Sequence, residues 1–355
     1  MQLTPRSVHL VHLLLAATTL ISPSWGNHQS QQPVVQALSP DDTLFAHLRC
    51  FELFASGQQS RGDRGADAAD WLGGNRERYL HRVERTPAFV KCVLGRMRFY
   101  DSSERRFNVN ILRTQYNAYK QWMTLSEEDV DDFIHEVNNI GALNGSNDAE
   151  VYDALKLLFT NHSASFFQLF LRDQTVLQNM YDDESLSVRK LNQTVVQFCE
   201  LQMAAELWDD ICLIRAYQIS NHTEAMERHI ACIFRGFQYL DANSSIDVKE
   251  IARDYELTET LDEASKNSIE ECARNASEKD DIPRRSLAMY SCLLDGSHSE
   301  VFKKAFDFRE VRSGNLTFLV QNLPYDRDQV RQQILALDKE HCNEQQPLAG
   351  RFIED

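Results

Sequence analysis

The chain has 355 residues, enough for two domains of about 150 residues each. Its 53 acidic residues outnumber its 37 lysines and arginines, and the net charge of −16 argues against a protein that binds nucleic acid through a cationic face. Hydrophobic residues make up 43% of the chain, with only 13 glycines and 8 prolines, so the composition indicates a compact, mostly helical protein.

Residues 1–26 have the pattern of a secretory signal peptide. Arg6 supplies a positive start, residues 8–21 are mostly apolar, and Ser24 and Gly26 offer small residues at the cleavage positions. The apolar run is shorter than the roughly 20 residues that cross a bilayer, so we expect a secreted chain without membrane insertion. Residues 27–38 then form a polar leader.

Signals for helix starts recur along the rest of the chain. Pro40 is followed by two acids, residues 124–127 have the spacing of a capping box, and residues 244–247 repeat that device. Apolar residues at helical spacing follow each signal. These patterns predict an all-α fold.

The eight cysteines are even in number and form no CxxC pair, which favours disulfides over a zinc site. Cys50 and Cys92 stand apart from the six later cysteines, and residues 182–193 are polar. We therefore predict domains at 39–181 and 194–355, joined by a linker at 182–193. Seven glycosylation sequons support secretion, at Asn144, Asn161, Asn192, Asn221, Asn243, Asn275 and Asn315.

Catalytic motifs are scarce in this chain. It contains no HExxH helix, no nucleotide-binding glycine loop and no GxSxG elbow, so we expect neither an enzyme nor a cofactor or metal. Arg61-Gly62-Asp63 lies in a polar loop and matches an integrin-recognition tripeptide, although an ordinary polar loop explains it equally.

Two carboxylates stand close together near the end of the chain. Asp307 and Glu310 are three residues apart, so on a helix they share one face. Phe306 precedes them, and Tyr290 lies two residues before Cys292. A pair of this kind is usually part of a solvated helix face, and these neighbours raise the alternative of a buried site for an ammonium group.

One long segment and several short segments around the cysteines carry a family pattern. They are Leu44-Phe45 to Arg49-Cys50, Phe89 to Leu94, Tyr100-Asp101, Phe198-Cys199, Cys212 with residues 214–217, His229 before Cys232, Tyr290 before Cys292, and Ala305 to Ser313. In this order they resemble the long-form D-seven salivary proteins of blood-feeding mosquitoes. The resemblance extends from about Pro40 to Cys342 and implies two tandem helical domains, related to insect odorant-binding proteins and stapled by disulfides.

The resemblance also implies which cysteines pair. The expected bridges are Cys50–Cys92 in the first domain and Cys199–Cys232, Cys212–Cys342 and Cys272–Cys292 in the second. A further family bridge in the first domain would fall near Ala88 and Ala149, where both cysteines are absent together.

A biogenic-amine site in the second domain is a third implication. The matching positions are Arg215, His229, Tyr290, Asp307 and Glu310, with Tyr217 and Phe306 as further candidates. Asp307 and Glu310 would pair with the ammonium group, and the others would bind the ring. One residue is inserted after Arg215 relative to the family spacing. Without the resemblance, His229 would be read as a satisfied core histidine.

In the first domain the family binds cysteinyl leukotrienes and, in some members, thromboxane analogues. Leu158 and Phe159 are our candidates for such a lipid pocket. They belong to an apolar set that an ordinary core would explain equally, comprising Leu155, Leu157, Leu158, Phe159, Phe166, Phe167, Leu169 and Phe170.

These features predict a secreted salivary monomer that binds small host agonists and no nucleic acid. It would sequester serotonin, histamine or noradrenaline, with leukotrienes or thromboxane in the first domain, and so oppose haemostasis and inflammation during blood feeding. The alternative is a protein-binding anticoagulant or integrin ligand that uses the acidic surface or the Arg61-Gly62-Asp63 loop.

Overall fold

The computed structural model describes residues 36–55, 87–144, 147–190, 192–219, 222–315 and 324–342. In the N-terminal half, a two-stranded hairpin is surrounded by helices. The elements are α1 (Pro40–Ala55), α2 (Pro87–Arg96), β1 (Tyr100–Asp101), β2 (Arg106–Phe107), α3 (Val109–Tyr119), α4 (Glu127–Ile140), α5 (Asp148–Leu169) and α6 (Gln174–Asp182).

The C-terminal half contains helices and one isolated β-bridge among its described residues. A 3₁₀ turn at Ala205–Asp210 joins the first two helices. The helices are α7 (Val195–Leu201), α8 (Ile211–Arg215), α9 (Glu224–Gly236), α10 (Val248–Leu257), α11 (Glu263–Ser277), α12 (Ile282–Asp295), α13 (Ser299–Ser313) and α14 (Arg327–His341). The all-α prediction is confirmed.

Two of the predicted helix starts are shifted by a few residues. Helix α4 is capped by Ser126, whose side chain accepts from the Asp129 backbone N–H, and Asp129 completes the capping box. Helix α10 is capped by Asp247, so Ser244 has no capping role there. In both places several polar residues stand within a few positions, and the backbone path decides which of them reaches the free N–H groups.

Each half has its own hydrophobic core. In the N-terminal half, the ring of Phe99 lies 5.1–6.1 Å from four other phenylalanine rings, at Phe107, Phe133, Phe166 and Phe170. In the C-terminal half, Phe234, Phe237, Tyr290 and Phe306 are buried in a second cluster. A small third cluster at Leu171–Val188 lies between them in sequence. The domain boundary at 182–193 remains a prediction.

Four disulfides connect the helices, and no described cysteine is free. They join Cys50 to Cys92, Cys199 to Cys232, Cys212 to Cys342 and Cys272 to Cys292, which are the pairs that the resemblance implies. Each disulfide closes a loop within its own half of the chain, and none of the four joins the two halves. Because a cross-link restricts the unfolded chain, each should stabilise its half by about 3 to 5 kcal/mol, the most for the longest loop.

Buried ion pairs connect the two halves. Arg49 of α1 pairs with Glu250 of α10, and both side chains are only 4% exposed. Arg309 of α13 also pairs with Glu250, at 3.1 Å, and with Asp254, at 3.3 Å. Removing one member of such a pair leaves a buried charge without its partner, which is costly.

Some of the surface features predicted from the sequence lie among the described residues, and others lie outside them. All six sequon asparagines outside the undescribed segments are exposed, and Asn221 is not described. The signal peptide and the Arg61-Gly62-Asp63 loop lie outside the described residues. Within the described helices, none combines the length and apolar character of a membrane span.

Restoring the missing bridge is a direct test of stapling in the N-terminal half. Ala88 and Ala149 lie in the first turns of α2 and α5, which are joined by a Lys91–Asp148 ion pair at 2.9 Å. The double variant Ala88→Cys/Ala149→Cys should form a disulfide and raise the free energy of unfolding by roughly 2 to 4 kcal/mol. Mass mapping and urea denaturation check this. A bridge that forms without raising the stability of the protein would contradict it.

Candidate functional site

Helix α13 carries Phe306, Asp307 and Glu310 into the interior of the C-terminal half. Asp307 is 4% exposed and Glu310 is 1% exposed. The interpretation of this pair as a solvated helix face is therefore wrong. Two carboxylates on one buried helix face need hydrogen-bond donors or cations nearby, because burial of an uncompensated charge is costly.

Arg215, at the end of α8, is the cation that Glu310 and two other buried acids surround. Its guanidinium lies 2.6 Å from Glu200, 2.9 Å from Asp338 and 3.4 Å from Glu310. Burial alone would lower the pKa of Arg215, but the carboxylates of Glu310, Glu200 and Asp338 together raise it. We call these four residues the Arg215 cluster. Its three carboxylates share the Arg215 guanidinium, so each buried carboxylate of the cluster lies beside an opposite charge.

Glu200 and Asp338 are not predicted from the sequence. Glu200 directly follows Cys199, and Asp338 lies one helical turn before Cys342, whose backbone N–H donates to the Asp338 carbonyl at 2.8 Å. No local pattern distinguishes either residue from other acids on helices. The sequence signal for these two acids is their position near cysteines. It becomes informative only once the disulfide pairing of those cysteines is known.

Aromatic rings form a wall beside the carboxylates. The Tyr217 hydroxyl donates to Asp307 at 2.5 Å, and the Tyr217 ring lies 6.0 Å from that of Phe306. On the other side, the Tyr290 ring lies 5.6 Å from Phe306 and 5.4 Å from Phe302. The structure thus brings both further candidates, Tyr217 and Phe306, to the predicted site. Edge-to-face pairs at these distances are favourable contacts that hold the rings in place.

His229 on α9 is 4% exposed and lies near Arg215. Burial lowers its pKa to about 4, aided by the positive charge of Arg215 and opposed by a hydrogen bond to the Cys199 carbonyl. Among the described residues, the Nδ1 atom of His229 has no hydrogen-bond partner. The hydrogen bond to the Cys199 carbonyl therefore uses the other ring nitrogen as donor. The imidazole is therefore neutral at physiological pH, with Nδ1 as an acceptor.

A cavity of about 180 Å³ lies between the 3₁₀ turn, α8 and the start of α9, and none of the candidate site residues is among those that line it. Its lining includes Ile214, which precedes Arg215, and the carboxylates of Glu206 and Asp210. The volume lies below the roughly 300 Å³ at which pockets for drug-sized ligands begin, so only a small molecule fits.

The lipid-pocket candidates belong to the core of the N-terminal half. Leu158 is 0% and Phe159 8% exposed, and the Phe159 ring contacts that of Phe166 at 4.7 Å. Leu157, from the same apolar set, is 56% exposed and faces away from the core. Helix α5 is kinked at His162, directly beside these rings.

The helices, bridges and buried polar site define a class of protein. Residues 192–295 match the PBP/GOBP family, and the chain has the odorant-binding fold in two tandem, disulfide-stapled domains. This is a class of proteins that enclose small ligands.

Similarity over the full chain identifies the family. The chain is 96% identical to "Long form salivary protein D7L3" of Anopheles gambiae over 355 residues, all of both chains. It is 28% identical to "Long form salivary protein D7L2" of Aedes aegypti, over 96% of this chain and 99% of the relative. The chain belongs to the long-form D7 salivary proteins and is a secreted, small-ligand-binding protein of saliva.

A solved structure supports the same fold. The structure described as "AeD7-leukotriene E4 complex" superposes with a TM-score of 0.65 at 26% identity, covering 82% of this chain and 95% of that chain. The fold and family predicted from the sequence are confirmed.

The buried imidazole predicts a specific pH dependence of stability. Because the pKa of His229 is about 4 in the folded protein and has its ordinary value of 6.5 once the chain unfolds, the unfolded chain binds more protons between these values. Stability should therefore fall as pH drops through this window, by up to about 3 kcal/mol from this residue. Urea denaturation of the protein and of His229→Gln, from pH 7 to 4, should show a shallower loss in the variant. Identical pH profiles would contradict the assignment.

Proposed function

We propose that the protein binds biogenic amines of the host, such as serotonin, histamine or noradrenaline, in its C-terminal half. The observation that carries this proposal is the burial of Asp307 and Glu310 beside an aromatic wall. A protonated amine supplies a cation that adds to Arg215, and its aromatic ring matches the neighbouring rings in chemistry.

In this proposal the ammonium group is held by Asp307 and Glu310. The carboxylates of Asp307 and Glu310 lie three residues apart on one buried face of α13, where a protonated amine can pair with both. Tyr217 keeps Asp307 oriented through its hydroxyl. Ion pairs formed away from water are stronger than exposed ones, which suits the capture of a small ligand.

The ring of the amine would lie against Tyr290 and Phe306. Its hydroxyl or indole N–H can donate to His229 Nδ1, which is a buried acceptor without a partner. Arg215 then acts through Glu310, since its guanidinium contacts carboxylates. The sequence predicts that Arg215 contacts the ring of the ligand. In this proposal Arg215 instead positions Glu310.

Such a protein would act by stoichiometric sequestration rather than catalysis. It would lower the free concentration of the agonist and so oppose vasoconstriction, platelet activation and inflammation at the feeding site. Agonists act at low concentration, so binding must be tight; a nanomolar dissociation constant corresponds to about −12 kcal/mol. A monomer with an enclosed, preorganised site meets this requirement.

Replacement of Asp307 tests the site with little change in shape. Asp307→Asn removes the charge but keeps an oxygen that accepts from Tyr217, so folding should hardly change. Loss of the ion pair should weaken serotonin binding by about 2 to 5 kcal/mol in calorimetry. Glu300→Gln, on the same helix but exposed and paired with Lys303, is the matched control and should bind as the parent does.

Glu310→Gln should also weaken binding, and the double variant should lose less than the sum of the two single losses, because both groups act on one cation. Serotonin affinity that is unchanged in Asp307→Asn and Glu310→Gln would refute the site. No heat of serotonin binding to the parent would favour the alternative of a protein-binding anticoagulant or integrin ligand.

A second candidate function is the binding of eicosanoids in the N-terminal half, supported by the leukotriene E4 complex of a relative at 26% identity. Leu158 and Phe159 are the proposed pocket residues. If the two sites are separate, saturating serotonin should leave leukotriene E4 affinity unchanged in calorimetry. Phe159→Leu should weaken leukotriene binding and not serotonin binding. Displacement of leukotriene by serotonin would contradict two separate pockets.

A further inference from the structure

The segment before α7 is anchored by Arg189, whose side chain is only 4% exposed. Its Nε atom donates to the carboxylate of Asp41 on α1 at 2.6 Å. One of its terminal nitrogens donates to two backbone carbonyls, that of Gln193 at 2.8 Å and that of Ser313, the last residue of α13. A single guanidinium thus joins α1, the segment before α7 and the end of α13.

Ser313 extends these contacts to the start of α7. Its hydroxyl accepts from the backbone N–H of Val195, the first residue of α7, at 2.9 Å and donates to the Glu310 carbonyl at 2.7 Å. Ser313 is 0% exposed, so both bonds are formed away from water. The start of α7 and the end of α13 therefore meet at one buried point, and Arg189 holds that point through the Ser313 carbonyl.

Both of these helices carry carboxylates of the Arg215 cluster. Glu200 lies five residues after Val195 on α7, and Glu310 lies three residues before Ser313 on α13. Each acid is thus within about one and a half helical turns of the point where the two helices meet. A shift of either helix end would change the distances of these carboxylates from the Arg215 guanidinium, which are 2.6 Å for Glu200 and 3.4 Å for Glu310.

A cation is well suited to the end of α13. The last carbonyls of a helix have no intrahelical partner and carry partial negative charge, which a guanidinium offsets while it donates hydrogen bonds. Asp41, which is 19% exposed, balances the charge of Arg189. Loss of either member of a buried ion pair leaves the other uncompensated, so the pair acts as a unit.

We propose that Arg189 and Asp41 form a positioning pair for the amine site. This inference rests on the proposed function, because the ligand contact that it affects is that of Glu310 with the ammonium group. Arg189 holds the end of α13, and thereby keeps the Glu310 carboxylate at the distance from Arg215 that suits a bound amine. Amine affinity in the C-terminal half therefore depends on a carboxylate of the N-terminal half.

Serotonin calorimetry of the full-length protein tests the pair. Arg189→Gln removes the charge and should weaken binding about 3- to 30-fold. Arg189→Lys keeps the charge but has no planar fork with which to bind a carboxylate and carbonyls together, so its affinity should lie between those of the parent and Arg189→Gln. Asp41→Asn keeps an oxygen that accepts from Arg189 and should weaken binding less than Arg189→Gln does.

Val130→Ala is the control for a general loss of stability. Val130 lies on α4 in the core of the N-terminal half and is 0% exposed, so its truncation lowers the free energy of unfolding without contact with the amine site. This variant should bind serotonin as the parent does. Serotonin affinity that is unchanged in Arg189→Gln, or lowered as much in Val130→Ala, would overturn the proposal.

A double-mutant cycle separates positioning from a merely structural role. If Arg189 acts through Glu310, Arg189→Gln should cost little further serotonin affinity once Glu310→Gln is present. Equal fold losses in the two backgrounds would show that Arg189 affects binding by another route, and would overturn the positioning role.

Hydrogen exchange without ligand tests the contact between the helices independently of the amine. The Val195 amide, which donates to Ser313, should exchange faster in Arg189→Gln than in the parent or in Val130→Ala. Serotonin binding by the parent, together with equal Val195 exchange rates in these three proteins, would overturn this inference alone. Absence of serotonin binding by the parent would overturn the proposed function and this inference with it.

Discussion

The arrangement of the C-terminal half depends on the buried guanidinium of Arg215 and the three carboxylates around it. Such a cluster is stable only where each charge has close partners, because the protein interior solvates charges less well than water does. The disulfides help to meet that requirement. Glu200 follows Cys199, Arg215 lies three residues after Cys212, and Asp338 lies four before Cys342. The bridges therefore fix the backbone within about one helical turn of Glu200, Arg215 and Asp338.

This cluster also explains why a buried acidic site can be preorganised before a ligand arrives. Glu310 is held by Arg215, and Asp307 is held by Tyr217. Neither carboxylate has to be reoriented to meet a cation, which reduces the entropic cost of binding. The neutral His229 adds an acceptor without adding charge, because burial keeps its pKa near 4. Charge and hydrogen-bond direction together support the proposal that the ligand is an aromatic ammonium.

A second group of buried ions has a different role. Glu250 pairs with Arg49 from the N-terminal half and with Arg309 from α13, and Arg309 also contacts Asp254. These contacts tie the halves together next to the helix that carries Asp307 and Glu310. The position of α13 is therefore set from both sides, by the Arg215 cluster and by the contact between the halves.

Much of this could be predicted from the sequence, for physical reasons that are local. Apolar spacing marks helices, and Asp307 and Glu310 share a face because three residues make nearly one helical turn. Glu200 and Asp338 could not be found, since only the tertiary path brings them to Arg215. The helix caps were shifted because neighbouring polar residues compete for the same N–H groups.

The most direct test of the amine site is a crystal structure of the full-length protein with serotonin bound. We expect one amine in the C-terminal half, with its ammonium nitrogen within hydrogen-bond distance of Asp307 and Glu310. Its ring should lie against Tyr290 and Phe306, and a donor on the ring should form a hydrogen bond to His229 Nδ1. Serotonin bound elsewhere, with the Arg215 cluster closed and both carboxylates out of reach of the amine, would contradict it.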